Sequence, residues 1–241
     1  MTATFRIRRF DPSRSPEPYW EDFEVAVEPG MVVLYALHAI QEEQDGSLAY
    51  RFSCRGAICG SCALRVNGTA ALACKTQVAE LDTSQPIVLE PLLNSDVIKD
   101  LVVDQGPFFE SLRSQMPWLS EGGRDPHQPF TLDETMSRQE EDQFGRSTDC
   151  IMCQSCFSDC PKRQEDPTFI GPATCVSVFR RVYNPQEPQP VERLTAACGA
   201  DGLFACDKHA NCIRVCPKDC RPMRAITMLQ RRAQAEGVAP E

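Results

Sequence analysis

Cysteine dominates the chemistry open to this chain. Of its 241 residues, 14 are cysteine and only 3 are histidine. The cysteines fall in two groups, Cys54 to Cys74 and Cys150 to Cys220, with none between them. Thiols in such numbers can pair as disulfides, ligate metal, or fill a core as small apolar side chains. The N-terminus, Met1 to Phe10, is polar and alternates like a strand, without the apolar stretch and small-residue cleavage site of an export signal. A reducing, cytoplasmic setting is therefore expected, and with it metal ligation instead of disulfides.

The first group reads Cys54-Arg-Gly-Ala-Ile-Cys59-Gly-Ser-Cys62, with Cys74 following after eleven intervening residues. A C-x4-C-x2-C run with a distant fourth cysteine is the spacing of plant-type ferredoxins and predicts a [2Fe–2S] cluster on Cys54, Cys59, Cys62 and Cys74. One loop must wrap closely around two irons, so Gly56 and Gly60 let the main chain approach and aim its amides at sulfur. Four thiolates can also hold zinc, but zinc sites generally use two short paired knuckles, not one glycine-lined loop. Arg55 reads either as a charge beside the cluster or a partner, or as an ordinary solvated loop residue.

The second group contains two related runs. Cys150-Ile-Met-Cys153-Gln-Ser-Cys156-Phe-Ser-Asp-Cys160-Pro161 has the C-x2-C-x2-C-x3-C-P spacing of bacterial two-cluster ferredoxins, whose fourth cysteine reaches the other cluster. Cys206-Asp-Lys-His209-Ala-Asn-Cys212-Ile-Arg-Val-Cys216-Pro217 repeats that spacing with histidine at the second ligand position. Crossing the fourth cysteines assigns Cys150, Cys153, Cys156 and Cys216 to a [4Fe–4S] cluster. Cys160, Cys206 and Cys212 remain, and three thiolates suit a [3Fe–4S] cluster. His209 either ligates a fourth iron through a ring nitrogen, as histidine does in Rieske centres, or packs beside the site. Cys175, Cys198 and Cys220 are left over, readable as buried thiols or, for Cys198 or Cys220, as carrying an additional metal or redox role.

The elements that must position these runs differ between the two halves. Phe5 to Phe10 and Phe23 to Val27 alternate as half-buried strands and suggest a hairpin, while Val32 to Gln44 carries a helical stripe ended by Asp45-Gly46. Ala63 to Val66, turning at Asn67-Gly68, and Ile87 to Glu90 read as further strands. Gly122-Gly123 with Pro107, Pro117, Pro126 and Pro129 reads as a connector with one short helix at Phe108 to Gln115. Beyond it, Leu132 to Phe144, Ala173 to Tyr183, Val191 to Cys198 and Arg224 to Ala235 read as helices. The expected class is α+β: a plant-type ferredoxin β-grasp domain over residues 1–105, then a mostly helical domain like bacterial two-cluster ferredoxins over 106–241, with 106–131 as connector. No apolar run approaches the roughly 20 residues of a membrane-spanning helix. A formal net charge of −9 excludes the basic footprint of a nucleic-acid partner.

A plant-type [2Fe–2S] domain followed by a two-cluster domain lacking one cysteine resembles the iron–sulfur subunits of the succinate dehydrogenase and fumarate reductase family. The likeness covers nearly the whole chain and extends to Ile98-Lys-Asp-Leu-Val-Val-Asp104, Phe169-Ile-Gly-Pro-Ala173, Asp201-Gly-Leu-Phe204 and Cys216-Pro-Lys218. It implies a relay without bond chemistry of its own, inside an oxidoreductase complex. Its partners would be an FAD-containing flavoprotein and a cytochrome b-type membrane anchor with quinone, and its place the cytoplasmic face of the cell membrane as a peripheral subunit. A soluble thiol-linked fumarate reductase is the alternative complex. Ubiquinone-reducing members place a Trp shortly after the Cys-Pro of the first run and often a His after the first cysteine of the second. Here Lys162 to Glu165 and Asp207 stand at those places, which implies quinone bound away from this subunit, with menaquinone in a haem-bearing anchor and a lean toward fumarate reduction. The missing cysteine generates a measurement: the oxidised protein should show the isotropic electron paramagnetic resonance signal of a three-iron cluster, and its absence would count against the three-thiolate assignment.

Overall fold

The computed structural model describes residues 2–119 and 136–238. It divides the chain into two units, the first comprising Met1–Pro107 with Ile151–Asp159, the second Phe108–Cys150 with Cys160–Glu241.

In the first unit, strands β1 (Thr2–Arg9) and β2 (Tyr19–Ala26) pair antiparallel, with Phe5 opposite Phe23. Alternation places Ala3, Phe5, Ile7, Phe23 and Val25 on the buried face. Strands β3 (Ala63–Val66), β4 (Thr69–Leu72) and β5 (Ile87–Glu90) complete a five-stranded sheet in the order β2-β1-β5-β3-β4, with β1 and β5 parallel. Helix α1 (Val33–Glu43) turns Val33, Leu34, Ala36, Leu37 and Ile40 into the same core. Burying each larger apolar side chain contributes about 1.5–3 kcal/mol. The β3–β4 turn is Asn67 at φ 47° and Gly68 at φ 78°, the two left-handed residues that a tight hairpin demands. Asn67 then ties the turn to β5: its amide donates to the Val88 carbonyl and its side-chain oxygen accepts from the Val88 amide, both at 2.8 Å. Strands β6 (Val97–Lys99) and β7 (Val102–Val103) form a separate two-stranded ladder.

Segment Ile151–Asp159 joins this unit through definite contacts. Helix α4 (Ser155–Ser158) and its flanks meet the loop after β5: Asn94 donates to the Phe157 carbonyl at 2.8 Å, and the Ala70 amide of β4 donates to the Asp159 carboxylate at 2.9 Å. Ile151 and Cys153 pack against the sheet–helix core.

The second unit is helical: α2 (Gly106–Ser114), α3 (Arg138–Thr148), α5 (Pro161–Glu165), α6 (Pro172–Val182), α7 (Pro190–Ala197), α8 (Asn211–Arg214) and α9 (Pro222–Ala235). Helix α6 packs against α3, α7 and α9, and Cys175, Val176, Val178, Phe179 and Val182 on it form the centre of the core. The helix expected from Leu132 to Phe144 instead runs Arg138–Thr148 within the described residues; Leu132 to Thr135 lie outside them, as do Gly122, Gly123, Pro126 and Pro129 of the expected connector. Its start is set by a capping box, in which Ser137 accepts from the Glu140 amide and Glu140 accepts from the Ser137 amide.

One polar cluster closes the first unit. Arg9, only 3 % exposed, donates through Nε to Asp100 at 3.0 Å and through its terminal nitrogens to Glu21, Asp45 and Ser47. Asp100 also accepts from the amides of Phe10 and Ala49 at 2.9 Å. Removing one partner strands a buried charge, so Asp100→Ala is expected to lower unfolding stability by about 3–5 kcal/mol in chemical denaturation. The Ser47 hydroxyl, then Arg9, hold the Asp45 carboxylate down at about 2 from 3.8. Its folded value is depressed, so its contribution is present above the ordinary carboxylate range and lost as pH falls through the folded value. The melting-temperature gap between wild type and Asp45→Asn should therefore be full above about pH 4 and shrink toward pH 2.

Candidate metal centres

The Cys54–Cys62 loop is shaped by left-handed residues. Arg55 and Ala57 both lie at φ 56° and Gly60 at φ 76°, a conformation that costs a residue with a Cβ about 1–2 kcal/mol. The return is an array of amides facing sulfur. Gly56, Ile58 and Cys59 donate to Cys54 Sγ at 3.4, 3.3 and 3.2 Å, Cys54 to Cys59 Sγ at 3.4 Å, Ala57 to Cys74 Sγ at 3.3 Å, and Cys74 to Cys62 Sγ at 3.5 Å. These contacts gather all four predicted residues. Burial pushes the Cys59 thiol up, but hydrogen bonds from Ser61 and from the Cys54 amide outweigh it and bring it to about 6. Burial carries Cys62 to about 12. Four thiols facing inward-aimed amides fit a [2Fe–2S] cluster, whose negative charge such dipoles offset.

The loop's outer rim is open. Cys54 is exposed, and Ile58 is 66 % exposed. Phe52 lies edge-on to His38 at 4.6 Å and against Tyr50 at 5.7 Å, with the Arg55 guanidinium 5.4 Å above its ring. Arg55 is thus held over an aromatic face on a solvent-facing rim.

The two later runs share one backbone. Met152 (φ 52°) and Gln154 (φ 66°) are left-handed in the first, Lys208 (φ 61°) and Ala210 (φ 63°) at the matching places in the second. Each run then enters a four-residue helix, α4 and α8. His209 therefore occupies a ligand loop of the same form, but it is exposed.

In the first unit, Cys153 Sγ lies 3.4 Å from the Ser155 hydroxyl. Gln154 beside it is 1 % exposed, and neither its side-chain oxygen nor its nitrogen has a protein partner. An orphaned buried amide between two predicted ligands fits a bound group that supplies the missing partner. In the second unit, the Cys220 amide donates to Cys216 Sγ at 3.3 Å. The Cys220 side chain, followed by its amide and that of Lys218, brings the Cys216 thiol down to about 6 against the effect of burial. Cys220 itself is raised by its contacts with Cys150 and Cys216. Cys220 is thus a neighbour of two predicted ligands, a role that sequence spacing did not reveal.

The remaining trio, Cys160, Cys206 and Cys212, lies in the second unit. Burial raises all three, Cys212 to about 12, with the charges of Cys206 and Cys160 adding to the effect on Cys212. Cys160 precedes α5, and the amides of Arg163 and Lys162 there stabilise its thiolate. Cys175 is fully buried; burial raises it first, then the charges of Cys206, Cys212 and Cys160. Three thiols, of which Cys160 feels the charge of Cys206 and Cys212 that of both others, with amides directed at Cys160 and Cys206, fit a three-iron cluster. Cys198 is buried and raised by that burial alone. Among the described residues, no three Cys, His, Asp or Glu side chains converge closely enough for a single ion.

Fold and sites define the class: an electron-transfer subunit in which main-chain amides surround cysteine runs. The family described as 2Fe-2S iron-sulfur cluster binding domain matches residues 4–110. The chain is 34 % identical over 233 residues to succinate dehydrogenase [ubiquinone] iron-sulfur subunit 1, mitochondrial, of Oryza sativa subsp. japonica, covering 95 % of this chain and 82 % of the relative. It is 34 % identical over 220 residues to the fumarate reductase iron-sulfur subunit of Mycobacterium tuberculosis, covering 91 % and 88 %. In structure it matches a chain of the Mycobacterium smegmatis Sdh1 complex in the apo form with TM-score 0.87 and 25 % identity, over 99 % and 98 % of the two chains. The chain belongs to the succinate dehydrogenase and fumarate reductase iron–sulfur subunit family.

Ala57 tests the first loop. Ala57→Gly should keep the visible iron–sulfur absorbance and gain about 1 kcal/mol in stability by relieving the left-handed strain. Ala57→Pro, which removes the amide facing Cys74 and cannot adopt the positive φ, should lose that absorbance.

Proposed function

We propose that this chain relays single electrons between the FAD of a flavoprotein partner and quinone in a membrane anchor. In this reading Cys54, Cys59, Cys62 and Cys74 hold a [2Fe–2S] cluster. Cys150, Cys153, Cys156 and Cys216 hold a [4Fe–4S] cluster, and Cys160, Cys206 and Cys212 a [3Fe–4S] cluster. The clusters supply one-electron redox chemistry when bound, and the protein sets their potentials through ligation, amide dipoles and burial. The observation that carries the reading is the set of six main-chain amides directed at the sulfurs of one open-rimmed loop. The exposed Cys54–Ile58 rim, with Arg55 over Phe52, is the surface at which the flavoprotein approaches.

The far end of the relay carries charge where a quinone-facing surface would need aromatic and imidazole groups. Lys162 Nζ stands 3.7 Å from the Asp207 carboxylate, so the residues after Pro161 and after Cys206 are joined by an ion pair. Arg163, beside Lys162, is buried and donates to the Phe169 carbonyl. This favours quinone, as menaquinone, lying within a cytochrome b-type haem-bearing anchor and not against this subunit. The complex would sit at the cytoplasmic face of the cell membrane, with this chain peripheral; no helix among the described residues is long and apolar enough to cross a bilayer.

Purification of the native complex tests both parts. Iron, acid-labile sulfide, FAD, haem and menaquinone are expected together. Zinc in place of iron would overturn the relay, and a quinone headgroup seated against Pro161 or Asp207 would overturn the placement of its site.

A further inference from the structure

The first ligand loop touches the second through a residue that has no side chain. Gly60 lies between Cys59 and Cys62, is buried, and holds φ at +76°. A Cβ built on it would stand 2.9 Å from the Cα of Cys153, 2.9 Å from the Cβ of Cys153 and 2.9 Å from the Ile151 carbonyl oxygen. Two of these neighbours are main-chain atoms, which cannot swing aside as the end of a long side chain can, and close-packed interiors leave little room for them to retreat. Both loops belong to the first unit. The positive φ alone does not require such closeness. Gly30 has φ +79° with nothing within 4 Å of its built Cβ, and Gly68 has φ +78° with only the tip of Arg65 at 3.8 Å.

We propose that Gly60 is a positioning residue for the electron transfer between the first and second clusters, fixing their separation by letting the two ligand loops meet at main-chain contact. The proposal rests on the cluster assignment given above. In one direction of turnover the [2Fe–2S] centre gives up a single electron and is oxidised by one, while the [4Fe–4S] centre accepts it and is reduced by one. In the other direction the roles exchange. No bond forms or breaks and no proton moves. The path is short: Cys59 directly precedes Gly60 in the chain, Gly60 meets Cys153, and Cys153 is itself a proposed ligand, so Gly60 is the single residue between ligands of the two clusters. Tunnelling falls exponentially with distance, so the thickness of one methyl group at this contact acts directly on the rate. Cys153 is further fixed by its packing on the sheet–helix core and by the Ser155 hydroxyl at 3.4 Å.

The test uses the assembled complex with Gly60→Ala, and with Gly30→Ala as a control that imposes the same left-handed strain where space is open. With all clusters retained, Gly60→Ala should weaken the magnetic interaction between the reduced [2Fe–2S] and [4Fe–4S] centres and slow reduction of the second by the first several-fold. Gly30→Ala should leave both unchanged. A cluster-replete Gly60→Ala complex with unaltered interaction and transfer overturns the proposal. Should that variant fail to assemble its clusters, the wild type decides: spin relaxation of the reduced [2Fe–2S] centre should quicken when the [4Fe–4S] centre is reduced, and unchanged relaxation overturns the contact. A wild-type complex lacking either signal overturns the cluster assignment itself, a separate failure from that of Gly60.

Discussion

Sulfur carrying negative charge must be brought out of water without being left uncompensated, and the main chain supplies the compensation. A cluster on several thiolates concentrates anionic charge in partly buried surroundings, where an unpaired charge is costly. Main-chain amides supply much of that compensation at the first loop. Those amides converge only if the backbone departs from ordinary conformations. Of the twelve non-glycine residues with positive φ among the described residues, Arg55, Ala57, Met152, Gln154, Lys208, Ala210, Asp219 and Arg221 lie within or just beyond the cysteine runs. Strain of about 1–3 kcal/mol at each such residue persists only where surrounding structure over-determines it. The rigid sheet–helix core under the first loop and the packing of α3, α6, α7 and α9 in the second unit provide that determination.

The same constraint accounts for the contrast among the sites. The first loop has an exposed outer rim, with Cys54 in solvent, whereas Cys160 and Cys212 are buried. Burial and amide dipoles act on a reduced cluster in opposite senses: a low-dielectric surrounding disfavours the added negative charge, and aimed N–H groups favour it. At Cys54 to Cys59 the amides are dense and the rim is wet, so the two effects oppose each other least there. At Cys160 and Cys212 burial comes first and the charges of neighbouring thiols add to it, so these two sulfurs lie away from solvent. Cys175 and Cys220 add two more buried thiols within electrostatic reach of predicted ligands, so the local field is set by more sulfur than ligation alone requires.

The loops at the cysteine runs were legible because cysteine spacing is a one-dimensional record of a loop that closes on itself. The alternating strands and apolar helical stripes were legible for the same reason, since β1, β3, β5, α1, α6, α7 and α9 each impose a local period. What escaped notice had no period to show. Strands β6 and β7 are three and two residues long, and β4 hides in the small residues after Asn67-Gly68. Arg9 sits at an inward position of an alternating strand, yet only tertiary structure brings Asp45 and Asp100 to it from far along the chain. The joining of Ile151–Asp159 to the first unit depends on Asn94 and Ala70 meeting α4, contacts that no spacing encodes. The start of α3 is the opposite case: Ser137 and Glu140 carry a capping signal that the apolar pattern of the segment obscured.

His209 shows why loop and ligand are separable quantities. The Lys208-His209-Ala210 backbone repeats the left-handed pattern of Met152-Cys153-Gln154, and α8 follows it as α4 follows the first run. Cys212 beyond it is buried, and the Lys208 amide stabilises the thiolate of Cys206. The left-handed form of the loop is thus the same whether cysteine, at 153, or an exposed histidine, at 209, stands at its centre, so the backbone pattern does not depend on which side chain occupies that position.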